Sequence, residues 1–150
     1  LYVATVARTY RKAIDDYMES EEKYRANMEY YKREIAKCTY RQFTTGFYFG
    51  KTDSESQIYD NNTYVKNYTY IGTVREVTPD GCVCFEQKNK FLVGEKLEAM
   101  GFDGTNIECE VQAIYDEEEN SMDSAPHPKQ KLRVKLDKEL ETGIILRRKE

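Results

Sequence analysis

Tyr68-Thr69-Tyr70-Ile71-Gly72-Thr73-Val74-Arg75-Glu76-Val77, followed by Thr78-Pro79-Asp80-Gly81 and Cys82-Val83-Cys84-Phe85-Glu86-Gln87, is the passage that decides the fold. Its first ten residues are β-branched and aromatic, the composition that suits a pleated, half-buried surface. The next four place Pro and Gly where a β-turn uses them. The last six return as a partner strand. Downstream the same grammar repeats. Lys88-Asn89-Lys90 is a polar connection, and Phe91 to Met100 is an extended run with a bend at Gly94. Asn106 to Tyr115 alternates, with Ile107, Cys109, Val111 and Ala113 on one side. Lys131 to Leu136 turns Leu132, Val134 and Leu136 inward, and Thr142-Gly143 precedes a last strand, Ile144 to Arg147. Six or so short strands at this spacing predict a small closed antiparallel β-barrel, because closure removes exposed sheet edges.

Upstream, the period changes at Thr44-Thr45-Gly46-Phe47-Tyr48-Phe49-Gly50, where two glycines bracket three aromatics. Before it, Leu1 to about Lys37 reads as helix. Val3, Val6, Tyr10, Ile14 and Tyr17 form one apolar stripe, and Tyr24, Met28, Tyr31 and Ile35 form a second. Between them Ser20 is placed to cap a helix whose first turn is acidic. The two helices could form a hairpin, or one could pack on the barrel while the other reaches toward absent sequence; a stripe this aromatic needs a cover. The fold class is therefore α+β, mainly β, with a helical segment over residues 1–38 and a β-barrel domain over residues 39–150. Two polar loops, Lys51 to Asn62 and Asp116 to Lys129, interrupt the barrel.

With 39% hydrophobic and 33% charged residues the chain is wet but globular, and it has no apolar run of the roughly 18–20 residues that span a bilayer. Its start lacks an initiator Met and a basic leader, which points to Leu1 as a cut within a longer chain. A net charge of −4 argues against indiscriminate attraction to nucleic acid. The charge is uneven, though: Glu108 to Asp123 holds no Lys or Arg, whereas Lys129 to Lys149 is rich in both. Cys38, Cys82, Cys84 and Cys109 lack metal or redox spacing and read as free thiols of a cytoplasmic protein. A single His, His127, leaves no catalytic triad or His-rich metal set to build.

The remaining motifs point to binding. Asp116 to Asp123 lacks the glycine and ligand spacing of a calcium loop and reads as an acidic hairpin tip. Thr44, Thr45 and Ser54 have no partner base, and the glycines are scattered singly rather than gathered into a phosphate loop. Lys88, Asn89 and Lys90 put polar and basic groups at a strand end. Lys131, Arg133 and Lys135 alternate outward and line up at about 6–7 Å intervals, as a phosphate-tracking face would. Arg147 and Arg148 extend this cationic set, and Tyr48 and Tyr70 are candidates to stack on a base. Each has a plainer reading: a polar turn, a solvated face, a tyrosine finishing a core edge. Ala125-Pro126-His127-Pro128 is stiff and suited to pinning the second loop. The expectation is no catalytic residue, metal or cofactor within these residues.

The order of several pieces resembles peptidase family U32, the collagenase-like peptidases: Tyr2-Val3-Ala4 with Tyr10 to Asp15; Thr44 to Gly50; Tyr68 to Val77; Phe85 to Phe91 with Val93-Gly94-Glu95; Ile114-Tyr115-Asp116; Ala125 to Gln130; and Leu146 to Lys149. The resemblance implies that an N-terminal α/β-barrel-type domain bearing the catalytic and cysteine-ligand residues precedes Leu1. The strands here would then be the family's C-terminal barrel, of a kind similar to barrels in translation factors. The family is associated with proteolysis of collagen-like substrates and with hydroxylation of the tRNA wobble uridine. The resemblance thus implies a non-catalytic domain that positions a macromolecular substrate, either protein such as collagen or tRNA, for the missing catalytic domain. RNA would be held by Lys88, Lys90, Lys131, Arg133, Lys135, Arg147 and Arg148, and protein by a surface including Tyr48 and Tyr64. A structural or dimerising role, with a homo-oligomer, is the third possibility. No membrane partner is expected.

Overall fold

The computed structural model describes residues 1–39, 46–52 and 66–150. Thr44, Thr45, Ser54 and Tyr64 lie outside the described residues. Three helices come first: α1 (Tyr2–Glu19), α2 (Glu21–Ala26) and α3 (Met28–Ile35). The break between α1 and α2 falls at Ser20, whose side-chain oxygen accepts a hydrogen bond from the Lys23 backbone N–H at 3.1 Å, with Glu21 and Glu22 in the turn behind it. That cap satisfies one of the donors a helix start leaves open. A second break at Asn27 was not legible. The Asn27 side chain donates to Asp16 at 3.0 Å, which ties the break back onto α1.

The strands follow in chain order: β1 (Tyr68–Thr73), β2 (Glu76–Val77), β3 (Cys82–Glu86), β4 (Phe91–Leu92), β5 (Lys96–Met100), β6 (Asn106–Tyr115), β7 (Ser121–Met122), β8 (Ser124–Ala125), β9 (Lys131–Leu136) and β10 (Ile145–Lys149). The main sheet is antiparallel, in the order β1-β10-β5-β6-β9-β3-β2, with β7 hairpinned onto β6 and β4 paired with β8. The decisive hairpin forms as read: Glu76 faces Cys84, Val77 faces Val83, and Gly81 takes the positive φ that closes the turn. Val83, Phe85, Leu97, Val111, Ile114, Leu132, Val134 and Leu146 fill the inside. Each such buried side chain stabilises the fold by about 1.5–3 kcal/mol. The ladders establish an antiparallel sheet, and among the described residues no ladder joins the outer strands β1 and β2 to each other.

Two bulges shift the alternation. In β6 the pairing steps from Val111–Leu136 to Ala113–Lys135, so Ile114 is buried instead of Ala113. In β1 it steps from Tyr70–Arg147 to Gly72–Leu146, which buries Ile71 and Gly72 side by side. Gly72 has a packing reason: a Cβ there would stand 2.4 Å from the Phe85 ring.

The helices meet the sheet through charge rather than grease. α1 turns inward Thr5, Thr9 and Asp16, and its apolar stripe faces out, with Val3 78% exposed. Arg8 donates to the carbonyls of Gly101 at 3.1 Å and Thr105 at 3.0 Å, and to Glu34 and the Asn106 side chain at 2.8 Å each. Asn106 in turn donates to Glu34 at 2.8 Å. From β10, Arg147 donates to Glu34 at 2.8 Å and to Glu98 at 2.7 Å, and lies over the Tyr68 ring. Lys37 pairs with Glu98 at 3.0 Å and also with Glu34. Burial by itself would raise the Glu34 carboxyl; Lys37 and Arg147 outweigh it and hold that carboxyl below the usual range.

Candidate binding cleft

Where β1 gives way to β2 the chain kinks through Val74 and Arg75, and the kink opens a cleft of about 400 Å³ between β1, β2, β3 and β9. Phe85 and Leu132 form its apolar floor, and Tyr70 and Thr73 form one wall. Arg75, Lys88 and Lys131 stand at its rim, with Glu76 and Glu86 among them. The Tyr70 ring is held in place: its hydroxyl shares a 2.8 Å hydrogen bond with the Thr73 hydroxyl, and its carbonyl accepts from the Asn89 side chain at 2.7 Å. Lys88 N–H donates to the Ile71 carbonyl at 2.8 Å, and Arg75 N–H donates to Cys84 at 2.8 Å, so the backbone beneath both cations is fixed.

The rim is cationic but partly neutralised. Lys88 pairs with Glu86, and this partner is the first cause holding the Glu86 carboxyl below its ordinary range. Lys131 reaches Glu117 at 3.4 Å across solvent. The Arg75 guanidinium has no ion pair among the described residues. Exposed pairs of this kind are worth at most about 1 kcal/mol, so an incoming phosphate can displace them cheaply. An apolar floor, an aromatic wall and three cations suit a planar group carrying negative charge. Burial raises the thiol of Cys84 at the cleft wall, so it is no ready nucleophile at neutral pH. Among the described residues no three His, Cys, Asp or Glu converge as a metal site requires.

The sequence-derived candidates separate into groups. Tyr70, Lys88 and Lys131 come together in the cleft, with Asn89 behind Tyr70 as a structural brace. Arg133 and Lys135 lie beyond it on the outer face of β9 and reach the hairpin turn. Arg133 donates to Asp80 at 3.0 Å, pairs with Glu119 and covers the Tyr115 ring, while Lys135 donates to the Asp80 carbonyl at 2.6 Å. Arg148 donates to the Lys90 carbonyl at 2.9 Å and to Glu95 at 3.2 Å. The Lys90 ammonium has no partner among the described residues. Tyr48 is 83% exposed, edge-on to Phe49, and away from the cleft lining. Arg147 is corrected: it is 0% exposed and committed to Glu34 and Glu98, so it leaves the surface cation set. Arg75 was missed. Its signal was its position next to Glu76 in a β-type run, where a kink turns the side chain to the rim.

The pattern that defines the C-terminal domain of peptidase family U32 matches residues 66–147, and the pattern for peptidase family U32 itself matches residues 1–58. The chain belongs to peptidase family U32. Among curated relatives, "tRNA hydroxylation protein P1" of Bacillus subtilis (strain 168) is 32% identical over 148 residues, 98% of this chain. The chain spans 35% of that relative's length. Two solved structures described as the "C-terminal domain of Geobacillus thermoleovorans putative U32 peptidase" are also similar to this U32 chain. The selenomethionine variant is 28% identical, with a TM-score of 0.48 over 53% of this chain and 99% of that one. The other is 30% identical, with a TM-score of 0.47 over 54% and 91%. No helix among the described residues is long and apolar enough to cross a membrane.

Proposed function

We propose that this U32 chain is a substrate-positioning module of a longer protein, and that the substrate it holds is tRNA. The module carries out no chemistry itself; it presents a folded RNA to a catalytic domain. The observation that carries the reading is the cleft, where the fixed ring of Tyr70 stands among Arg75, Lys88 and Lys131 over an apolar floor. The 32% identity that runs through 98% of the chain to a tRNA hydroxylation protein supports the choice of RNA. In this reading the three cations contact phosphate and Tyr70 takes an unstacked base.

Three phosphate contacts predict that the affinity for tRNA falls roughly 20–40-fold between about 50 and 200 mM salt. Affinity that stays flat over that range removes the reading. It would instead favour a protein substrate such as a collagen-like strand, for which the mixed charge of Lys88–Glu86 and Arg133–Glu119 is the better match.

The closed barrel belongs here as well. Residues 68–77 are one run of chain whose first half pairs with β10 and whose second half pairs with β3. We propose that this run closes the sheet on itself, with the Lys88-to-Ile71 hydrogen bond bridging the seam. Closure predicts a slowly exchanging Lys88 amide. Exchange as fast as in an open edge would rule it out.

A further inference from the structure

Nine of the fourteen large hydrophobic side chains that the described residues leave exposed lie within residues 1–58: Tyr2, Val3, Tyr10, Ile14, Tyr17, Met18 and the Phe47-Tyr48-Phe49 tip. Those are the residues that match the pattern of the U32 domain itself. Residues 66–150, which include the C-terminal match, expose the other five: Val77, the adjacent Leu92 and Val93, Phe102 and Ile107. The division follows the helices' two faces. α1 buries Thr5, Thr9 and Asp16 and binds the sheet through Arg8, whereas Tyr2, Val6, Tyr10, Ile14 and Tyr17 run down its far side at helical spacing.

Between α1 and α3 that far side is concave. A groove of about 340 Å³ is lined by Tyr2, Val6, Tyr10, Lys32 and Ile35. Exposed ion pairs lie on the same two helices, Arg11 with Asp15 on α1 and Lys32, which lines the groove, with Glu29 on α3. An apolar centre beside exposed charged pairs is the anatomy of a protein interface.

We propose that this face is the seat of the remaining body of the U32 domain, supplied by the same polypeptide. The occupant follows from two facts together. The uncovered apolar surface belongs to the part of the chain that matches the U32 domain, and 98% of the chain aligns with a relative of which it spans only 35%. The helices then act as a rigid arm. One face is fastened to the sheet by Arg8, Glu34 and Arg147, and the other is buried in the U32 body, so the cleft is held at a fixed orientation to whatever that body does. This inference does not depend on what the cleft holds.

Hydroxyl-radical footprinting tests it on the 150-residue chain alone and on the full-length polypeptide. Tyr2, Tyr10 and Tyr17 should be labelled freely in the short chain and at least about fivefold less in the long one, as buried interface rings are. Tyr70 should change little. Sedimentation of the short chain supplies the second reading, and a monomer is expected. Equal labelling in the two proteins would overturn the proposal. So would a dimer of the short chain that Ile14→Glu disperses, because it would assign the face to a second copy.

Discussion

Replacing Arg147 by Met should destabilise the chain by about 3 kcal/mol, the low end of the range for breaking a buried ion pair. The structure sets that magnitude. The guanidinium is 0% exposed and serves two carboxylates, donating to Glu34 at 2.8 Å and Glu98 at 2.7 Å. Removing it does not strand either acid completely. Glu34 keeps Arg8 and Asn106, and Glu98 keeps Lys37 and some solvent. That residual support keeps the cost near the bottom of the range, and the Met stem preserves packing over Tyr68. Urea unfolding is the assay. With a slope of about 2 kcal/mol per molar the midpoint should fall by about 1.5 M at unchanged slope. Arg147→Lys should fall between, because a single ammonium cannot reproduce the fork that meets both acids. tRNA binding by the folded variant should keep its salt dependence. A midpoint shift under about 0.5 M, together with a shallower salt slope, would place Arg147 back among the surface cations and refute the buried hub.

Other outcomes follow from the packing and titration of particular residues. Gly72→Ala should cost about 1–3 kcal/mol by thermal unfolding, because a methyl 2.4 Å from the Phe85 ring forces ring or backbone to move. Acid should loosen the attachment between the helices. Burial would raise the Asp16 carboxyl, but hydrogen bonds from Tyr31, Lys12 and Asn27 outweigh it and hold the group at about 2 against an ordinary 3.8. A depressed carboxyl stabilises the fold above its unfolded value and loses that contribution as pH falls through the folded one. Helical signal should therefore decline between about pH 4 and pH 2, and Asp16→Asn should flatten that decline. Burial pushes the Cys109 thiol up to about 12, so at neutral pH a thiol reagent should label half-buried Cys84 first and Cys109 only on unfolding, as mass spectrometry of the labelled peptides would show.

The strands were legible because alternation survives burial on one face. β9 reads and folds as Leu132, Val134 and Leu136 inward, and the turn at Thr78 to Gly81 forms where Pro and Gly put it. The bulges at Ile71 and Gln112 were not legible, since each depends on which partner residue the extra one skips. The first helix misled in an instructive way. Its apolar stripe is real, yet the face it buries here is Thr5, Thr9 and Asp16, because Arg8 and Glu34 fasten the helices to the sheet with charge. Periodicity identifies an amphipathic helix but not which face meets which neighbour. The cationic candidates separate for a similar reason. Arg133 is taken by Asp80, 53 positions away, and Arg147 by Glu34, 113 positions away, and pattern along the chain carries no information about either partner. The sequence puts Tyr70, Lys88 and Lys131 in three separate groups, and the kink at Val74 and Arg75 brings one member of each into one cleft.

The most direct measurement is an amide and side-chain NMR titration of the chain with tRNA at low salt. The account predicts shifts clustered on Tyr70, Thr73, Arg75, Cys84, Lys88 and Lys131, abolished when Arg75, Lys88 and Lys131 are changed together to Gln. Shifts confined to the helices or to the Arg133 side of the sheet, or none at all, would contradict it.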